Sequence, residues 1–240
     1  SDHVVLNSQE FRRVITSALS FTAETDSIVT LGMKPNRPET GYGYIQADLR
    51  VSSARNKELF RVDQFKEKPD LDTAQLYILQ NNYFWNAGIF VWSASTIINA
   101  FRIYSPSIAK VFDSIRPILG TPDEQNAIDA RYPECESISV DYAIMEKAEE
   151  IFVFPADFGW SDLGTWGSLL SRSHKDIYGN AVIGQNVSLY DTKNTIVHTK
   201  ELDKVIVQGL DGFIIAEQNR KLLICKMSEE QRIKQFTGEG

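Results

Sequence analysis

Apolar positions take up a helical period soon after the chain begins. Phe11, Val14, Ile15, Ala18 and Leu19 recur at i, i+3, i+4, i+7 and i+8 as one face, and Asn7 with Glu10 makes a capping-box-like start before them. Residues 27–33 are instead short, β-branched and bounded by Gly and Pro, which predicts a buried strand. A strand fed by a helix points to an α/β fold. The same reading predicts strands over 44–51, 59–65, 87–92 and 150–154, and helices over 72–80, 96–104 and 107–116. The last of these opens after Pro106, with Ile108, Val111, Phe112 and Ile115 in register. Ser139 is expected to open a helix with Val140, Ala143, Ile144 and Ala148 on one face, and another helix is expected from Leu163.

The texture changes after about Asp176, where short β segments alternate with turns. Asp211-Gly212 between Val205-Ile206-Val207 and Phe213-Ile214-Ile215 is a hairpin signal. Ile183, Leu189 and Thr195 are spaced by six, as in hexapeptide β-helix turns. The change sets the expected domains at 1–176 and 177–240, with no low-complexity linker between them.

Composition narrows the classes. A chain of 240 residues, 42% hydrophobic, is long enough for one sizeable core and a smaller second unit. A formal charge of −7 without any Lys/Arg cluster argues against a nucleic-acid footprint, which needs basic patches to displace counterions. Cys135 and Cys225 give no framework of bridges and read as thiols of a reducing, cytoplasmic setting. No apolar run approaches the roughly 18 residues of a membrane span, so no membrane partner is expected.

Candidate chemistry sits in five motifs, each with a plainer reading beside the functional one. In Phe158-Gly159-Trp160-Ser161-Asp162-Leu163-Gly164-Thr165-Trp166, Asp162 is either an oxygen ligand for a hard cation or, with Ser161, a helix cap. Glu67 and Lys68, in Phe65-Lys66-Glu67-Lys68-Pro69, suit a sugar's hydroxyls and its phosphate, or are a surface pair before a proline. Gly43, in Gly41-Tyr42-Gly43-Tyr44-Ile45, permits close backbone approach, and Asn86, in Trp85-Asn86-Ala87-Gly88-Ile89-Phe90, offers donor and acceptor; both also suit ordinary turns. Asp141, in Ser139-Val140-Asp141-Tyr142-Ala143-Ile144-Met145-Glu146-Lys147, orients a sugar or complements a helix dipole.

Taken in order, and with Ser1-Asp2-His3 at the start, these motifs resemble the sugar-nucleotidyltransferase family from residue 1 to about 236, and within it the mannose-1-phosphate guanylyltransferase branch. The Ser139–Lys147 and Gly159–Trp166 motifs point to that branch, whereas Glu67-Lys68-Pro69 is shared with uridylyl- and thymidylyltransferases. The resemblance implies a Rossmann-like, three-layer nucleotide-diphospho-sugar transferase fold with a small left-handed β-helix-like C-terminal domain. It implies GTP and mannose 1-phosphate as reactants, GDP-mannose and pyrophosphate as products, and a homo-oligomer is left open. It places Mg²⁺ between Asp2 and Asp162, Lys68 at the sugar phosphate in a catalytic role, and Gly43, Glu67, Asn86 and Asp141 around the sugar. The family's Gly-rich loop with Arg and Pro-Lys does not occur in these 240 residues, so the sequence reads as a C-terminal portion that alone should make little or no GDP-mannose. Two alternatives stand beside this reading: a different sugar 1-phosphate nucleotidyltransferase, or a non-catalytic sugar-phosphate-binding or assembly module.

Overall fold

The computed structural model of the chain describes residues 3–238. Its strands run β1 (His3–Val4), β2 (Ile28–Met33), β3 (Tyr44–Ser52), β4 (Phe60–Lys66), β5 (Tyr83–Val91), β6 (Ile151–Ala156), β7 (Ser161–Asp162), β8 (Ala181–Ile183), β9 (Val187–Tyr190), β10 (Ile196–His198), β11 (Val205–Gln208), β12 (Phe213–Gln218) and β13 (Lys221–Lys226). The helices are α1 (Ser8–Ala23), α2 (Leu71–Leu79), α3 (Ala94–Tyr104), α4 (Pro106–Ile115), α5 (Glu124–Arg131), α6 (Trp166–Arg172) and α7 (Ile233–Thr237). The chain packs as two compact units, Val5–Trp160 and, among the described residues, 3–4 with 161–238.

In the first unit the strands join in the order β2-β5-β3-β4-β6, and β4 closes back on β6 through Phe60 opposite Val153 and Arg61 opposite Phe152. The period-2 pattern of these strands sorts the core into two faces. Val29, Leu31, Met33, Tyr83, Trp85 and Phe154 pack with Val14, Ala18 and Phe21 of α1 and Ala74 of α2. The alternate positions Ile28, Ile45, Phe84, Ile151 and Val153 pack with Ala100 of α3 and with Ala143, Ile144 and Met145. Helices therefore cover a mixed sheet on both faces, the three-layer α/β arrangement that the family resemblance implied. Asn7 caps α1 by accepting the Glu10 N–H, as its spacing predicted.

The second unit stacks short strands in parallel. β8, β10 and β12 form one row and β9 with β11 another, with β13 folded back antiparallel on β12. Register pairs Val187 with Val205 and Ile196 with Ile214, three six-residue steps apart, whereas Ile196 pairs with Ala181, three residues short of that, so the hexad spacing holds for part of the coil and slips at its first rung. Ala181, Ile196 and Ile214 sit at the centre of one row and Val197, Val207 and Ile215 face another small core.

Four sequence expectations are corrected. Asp211-Gly212 joins two rungs instead of a hairpin: β11 pairs with β9, β12 with β10, and the antiparallel turn falls at Asn219-Arg220, both with positive φ. The helix expected from Leu163 begins at Trp166 and is capped by Thr165, whose Oγ1 accepts the Ser168 N–H, so neither Ser161 nor Asp162 is its cap. The helix expected from Ser139 is a single π turn, Asp141–Met145, whose buried Ala143, Ile144 and Met145 explain the apolar pattern. β5 starts at Tyr83 instead of Ala87, because the aromatics at 83–85 fill the sheet core.

Candidate functional site

Register explains why motifs far apart in sequence meet. β3 lies between β4 and β5, with Tyr44 opposite both Lys66 and Trp85. One step beyond that row, Gly43, Glu67 and Asn86 come side by side at one end of three neighbouring strands. The Asn86 N–H donates to the Gly43 carbonyl at 2.8 Å. A Cβ on Gly43 would stand 2.5 Å from Glu67 Oε2 and 3.2 Å from Asn86 Cβ, so only glycine leaves this recess open.

Asn86 is held in one orientation. Its Oδ1 accepts the Thr30 hydroxyl at 3.2 Å and the Gly88 N–H at 3.0 Å, while Nδ2 donates to Asp141 Oδ1 at 3.2 Å. Gly88 has φ 65° and sits where the β2–β5 register slips, so the bulge brings its N–H onto the Asn86 side chain. Asp141 enters from the π turn. Such turns insert one extra residue and re-aim side chains, which suits a residue that must reach a strand end.

Lys68 Nζ lies 3.5 Å from Glu67 Oε1, and the Glu67 N–H donates a long bond to Glu146 Oε1 at 3.4 Å. Lys68 has φ 45° directly before Pro69, a left-handed conformation that costs a side-chain-bearing residue on the order of 1 kcal/mol or more. The strain aims consecutive side chains of a strand end at one recess.

The electrostatics are those of a site short of donors. Burial pushes the Glu67 carboxyl up and the Asp141 charge pushes it further, with Lys68 partly opposing. Burial pushes Asp141 up as well, against its bonds to its own backbone and to Asn86. Two carboxylates and a lysine around a glycine-floored recess can accept hydroxyl hydrogen bonds and meet one anionic group.

The structure thus brings together Gly43, Glu67, Lys68, Asn86 and Asp141, all within the Val5–Trp160 unit. Thr30 and Glu146 join them without having been assigned a role from sequence. Glu146 stood within the Ser139–Lys147 motif, while nothing in sequence marks Thr30, a buried threonine of β2. Asp162 belongs to the other unit, on β7 opposite His3, with Oδ1 accepting the Gly164 N–H at 2.7 Å. Asp2 lies outside the described residues. Among those described, no three His, Cys, Asp or Glu side chains come together to hold a metal ion. A hard cation taking one or two carboxylates, as Mg²⁺ does, fits an Asp162 held by a backbone N–H. Both cysteines carry free thiols, and no described helix is long and apolar enough to cross a membrane.

Comparison with known proteins identifies the family. The profile of the nucleotidyl transferase family matches residues 1–178. A mannose-1-phosphate guanylyltransferase of Escherichia coli is 34% identical over 235 residues, which cover 98% of this chain and 50% of its own length. Xanthan biosynthesis protein XanB of Xanthomonas campestris is 35% identical over 240 residues, covering 100% of this chain and 49% of its own. A solved structure of a mannose-1-phosphate geranyltransferase from Thermus thermophilus superposes with a TM-score of 0.77 at 29% identity, over 99% of this chain and 67% of that one. The chain spans about half the length of the curated relatives it matches.

Proposed function

The chain belongs to the nucleotidyl transferase family, and from that premise we propose that its recess binds mannose 1-phosphate for transfer of a guanylyl group from GTP, giving GDP-mannose and pyrophosphate. The observation that carries the reading is the single row formed by Gly43, Glu67 and Asn86 with Asp141 and Lys68 around it. Glu67 and Asp141 accept sugar hydroxyls, Asn86 fixes Asp141, and Gly43 admits the ring. Lys68 meets the sugar phosphate as a point charge and turns one of its oxygens toward the α-phosphorus of GTP, in line with the departing pyrophosphate. No nucleophile from the protein is required.

Mg²⁺ held by Asp162, with Asp2 as its partner by resemblance, would supply charge to offset two anionic reactants. The relatives named for mannose 1-phosphate support this sugar over other hexoses. A cytoplasmic setting suits the free thiols.

The test is calorimetric titration of mannose 1-phosphate into the chain, with turnover from GTP and Mg²⁺ assayed in a longer chain that also carries the family's Gly-rich loop. Lys68→Ala should lower the chemical step more than sugar-phosphate binding, and Glu67→Ala the reverse. Equal, small effects from both would return Glu67 and Lys68 to the status of a surface pair. Asp162→Asn should remove the Mg²⁺-induced rise in melting temperature as well as Mg²⁺-dependent turnover; an unchanged metal response would overturn that ligand.

A further inference from the structure

The connection 34–43 between β2 and β3 holds an ion pair that no step above uses. Glu39 is only 8% exposed. Its Oε2 accepts Arg37 Nη2 at 2.9 Å and Nε at 3.1 Å, and its Oε1 accepts the Gly41 N–H at 3.2 Å. The Arg37 guanidinium lies 5.1 Å from the centre of the Trp85 ring and 5.9 Å from that of Tyr42. Those two rings meet edge to face at 5.3 Å.

Stability is a poor explanation for such a pair. The Arg37 side chain keeps 37% of its surface in water, so its attraction is screened, while Glu39 gives up most of its own hydration to meet it. What the pair has and apolar residues lack is direction. Three hydrogen bonds to one carboxylate fix the backbone from Arg37 to Gly41, and a flat cation sets the planes of two aromatic rings. Both rings belong to residues that flank the recess in sequence: Tyr42 precedes Gly43, and Trp85 precedes Asn86, whose N–H bonds Gly43.

We infer that Glu39 and Arg37 are positioning residues for the sugar recess, holding Tyr42-Gly43 against Asn86 and Glu67 without touching the ligand. This rests on the recess being the mannose 1-phosphate site. The pair acts in two places, through the Gly41 N–H on the strand start and through the guanidinium on the Trp85 ring. Loss of either lets the Gly43 backbone drift, and a drift of a few tenths of an ångström matters where Glu67 Oε2 and Asn86 stand so close to it.

The experiment pairs hydrogen exchange of the ligand-free chain with calorimetric binding of mannose 1-phosphate, on the unaltered protein, Glu39→Gln, Glu67→Gln and the double variant. Glu39→Gln should speed exchange at least tenfold over 40–45 and 84–88 and leave α1 and β8–β12 unchanged. It should weaken mannose 1-phosphate about tenfold, but less than twofold when Glu67→Gln is already present, because the contact it positions is gone. Arg37→Lys keeps the charge and loses the flat stacking; it should reproduce the change at 84–88 and serves if Glu39→Gln fails to fold. Exchange that rises everywhere, exchange unchanged at 40–45, or losses that add in full would overturn the proposal. If the unaltered chain binds no mannose 1-phosphate, the function proposed above fails, and the exchange pattern still decides whether this pair orders the recess.

Discussion

Two carboxylates, one in each unit, one buried and the other largely so, are held in opposite ways. Glu217, 3% exposed near the end of β12, has Oε2 accepting the N–H groups of Lys200 at 2.9 Å and Glu201 at 2.8 Å. The Glu201 and Lys200 amides hold its carboxyl below the ordinary range. Glu67, with a side chain 12% exposed, has Lys68 at 3.5 Å and faces Asp141, so burial and a like charge push it above that range. The β stack brings backbone donors to Oε2 of its acid, leaving Oε1 buried without a partner, whereas the recess brings a second acid. A folded protein that places a carboxylate where donors are scarce gives up stability there, and a hydroxyl-bearing ligand supplies what is missing. The first acid is a strut and the second a binding group.

Removing the binding group should give the largest effect. Glu67→Ala deletes up to two charge-assisted hydrogen bonds to the sugar, each worth roughly 1.5–3 kcal/mol, so affinity for mannose 1-phosphate should fall about 100-fold or more. Melting temperature should hold or rise. A variant that binds as before but melts earlier would make Glu67 a second strut.

Glu217→Gln is the mirror experiment. The amide keeps one acceptor but loses the charge that two N–H groups address, so the chain should melt several degrees lower while mannose 1-phosphate binds as before. Hydrogen exchange should rise first over 199–202. If binding weakens instead, the two acids are not doing separate jobs.

The strut and the binding group were unequally legible in sequence. Glu67, Lys68, Gly43, Asn86 and Asp141 stood in motifs whose residue types suit a sugar phosphate, and the structure joins them because β3 lies between β4 and β5. Strand order is not written in any one segment. The same gap hid Thr30, which matters only because register places it against Asn86. Helix and strand periods located α1 to α4 and β2 to β4 well, since each buries one clear face. They failed at 139–148, where Val140, Ala143, Ile144 and Ala148 do pack against one core but a single π turn suffices to bring them there. At Asp211-Gly212 local turn chemistry was correct, with Gly212 at φ 72°, yet the partners of both strands were set by the stack. Glu217 carried no local signal at all, because its donors come from the preceding rung.

Asp141→Asn should sharpen the contrast with a smaller effect of two signs. An amide oxygen can still accept from Asn86 Nδ2, so the geometry survives, while the like charge facing Glu67 disappears. Melting temperature should rise by a degree or two at neutral pH, and mannose 1-phosphate should bind about fivefold more weakly, the equivalent of roughly 1 kcal/mol. Stabilisation without loss of binding would show that Asp141 serves the turn and not the sugar.

The smallest expected effect is a difference between pH profiles. Glu67 and Asp141 have folded pKa values raised above the ordinary carboxylate values near 4. At neutral pH both states of the chain are ionised and the folded state carries the full cost of burying the charges. As pH falls through the raised values the folded carboxyls take up protons first, so this cost disappears and is gone below the unfolded values. Glu217 runs the other way, contributing stability above its unfolded value that is lost as pH falls through its lowered folded one. As pH falls from neutral toward about 4 the amides near the recess should therefore gain protection while those over 199–202 hold theirs, and only below about 4 should the latter lose it. Affinity for mannose 1-phosphate should weaken over the same upper window, since a protonated carboxyl accepts less well. The phosphate of the ligand itself titrates near 6, but it does so equally with Glu67→Gln, so the informative quantity is the extra pH dependence of the unaltered chain over that variant. Identical profiles for the two would remove the ionised Glu67 from sugar binding and leave its burial without a purpose.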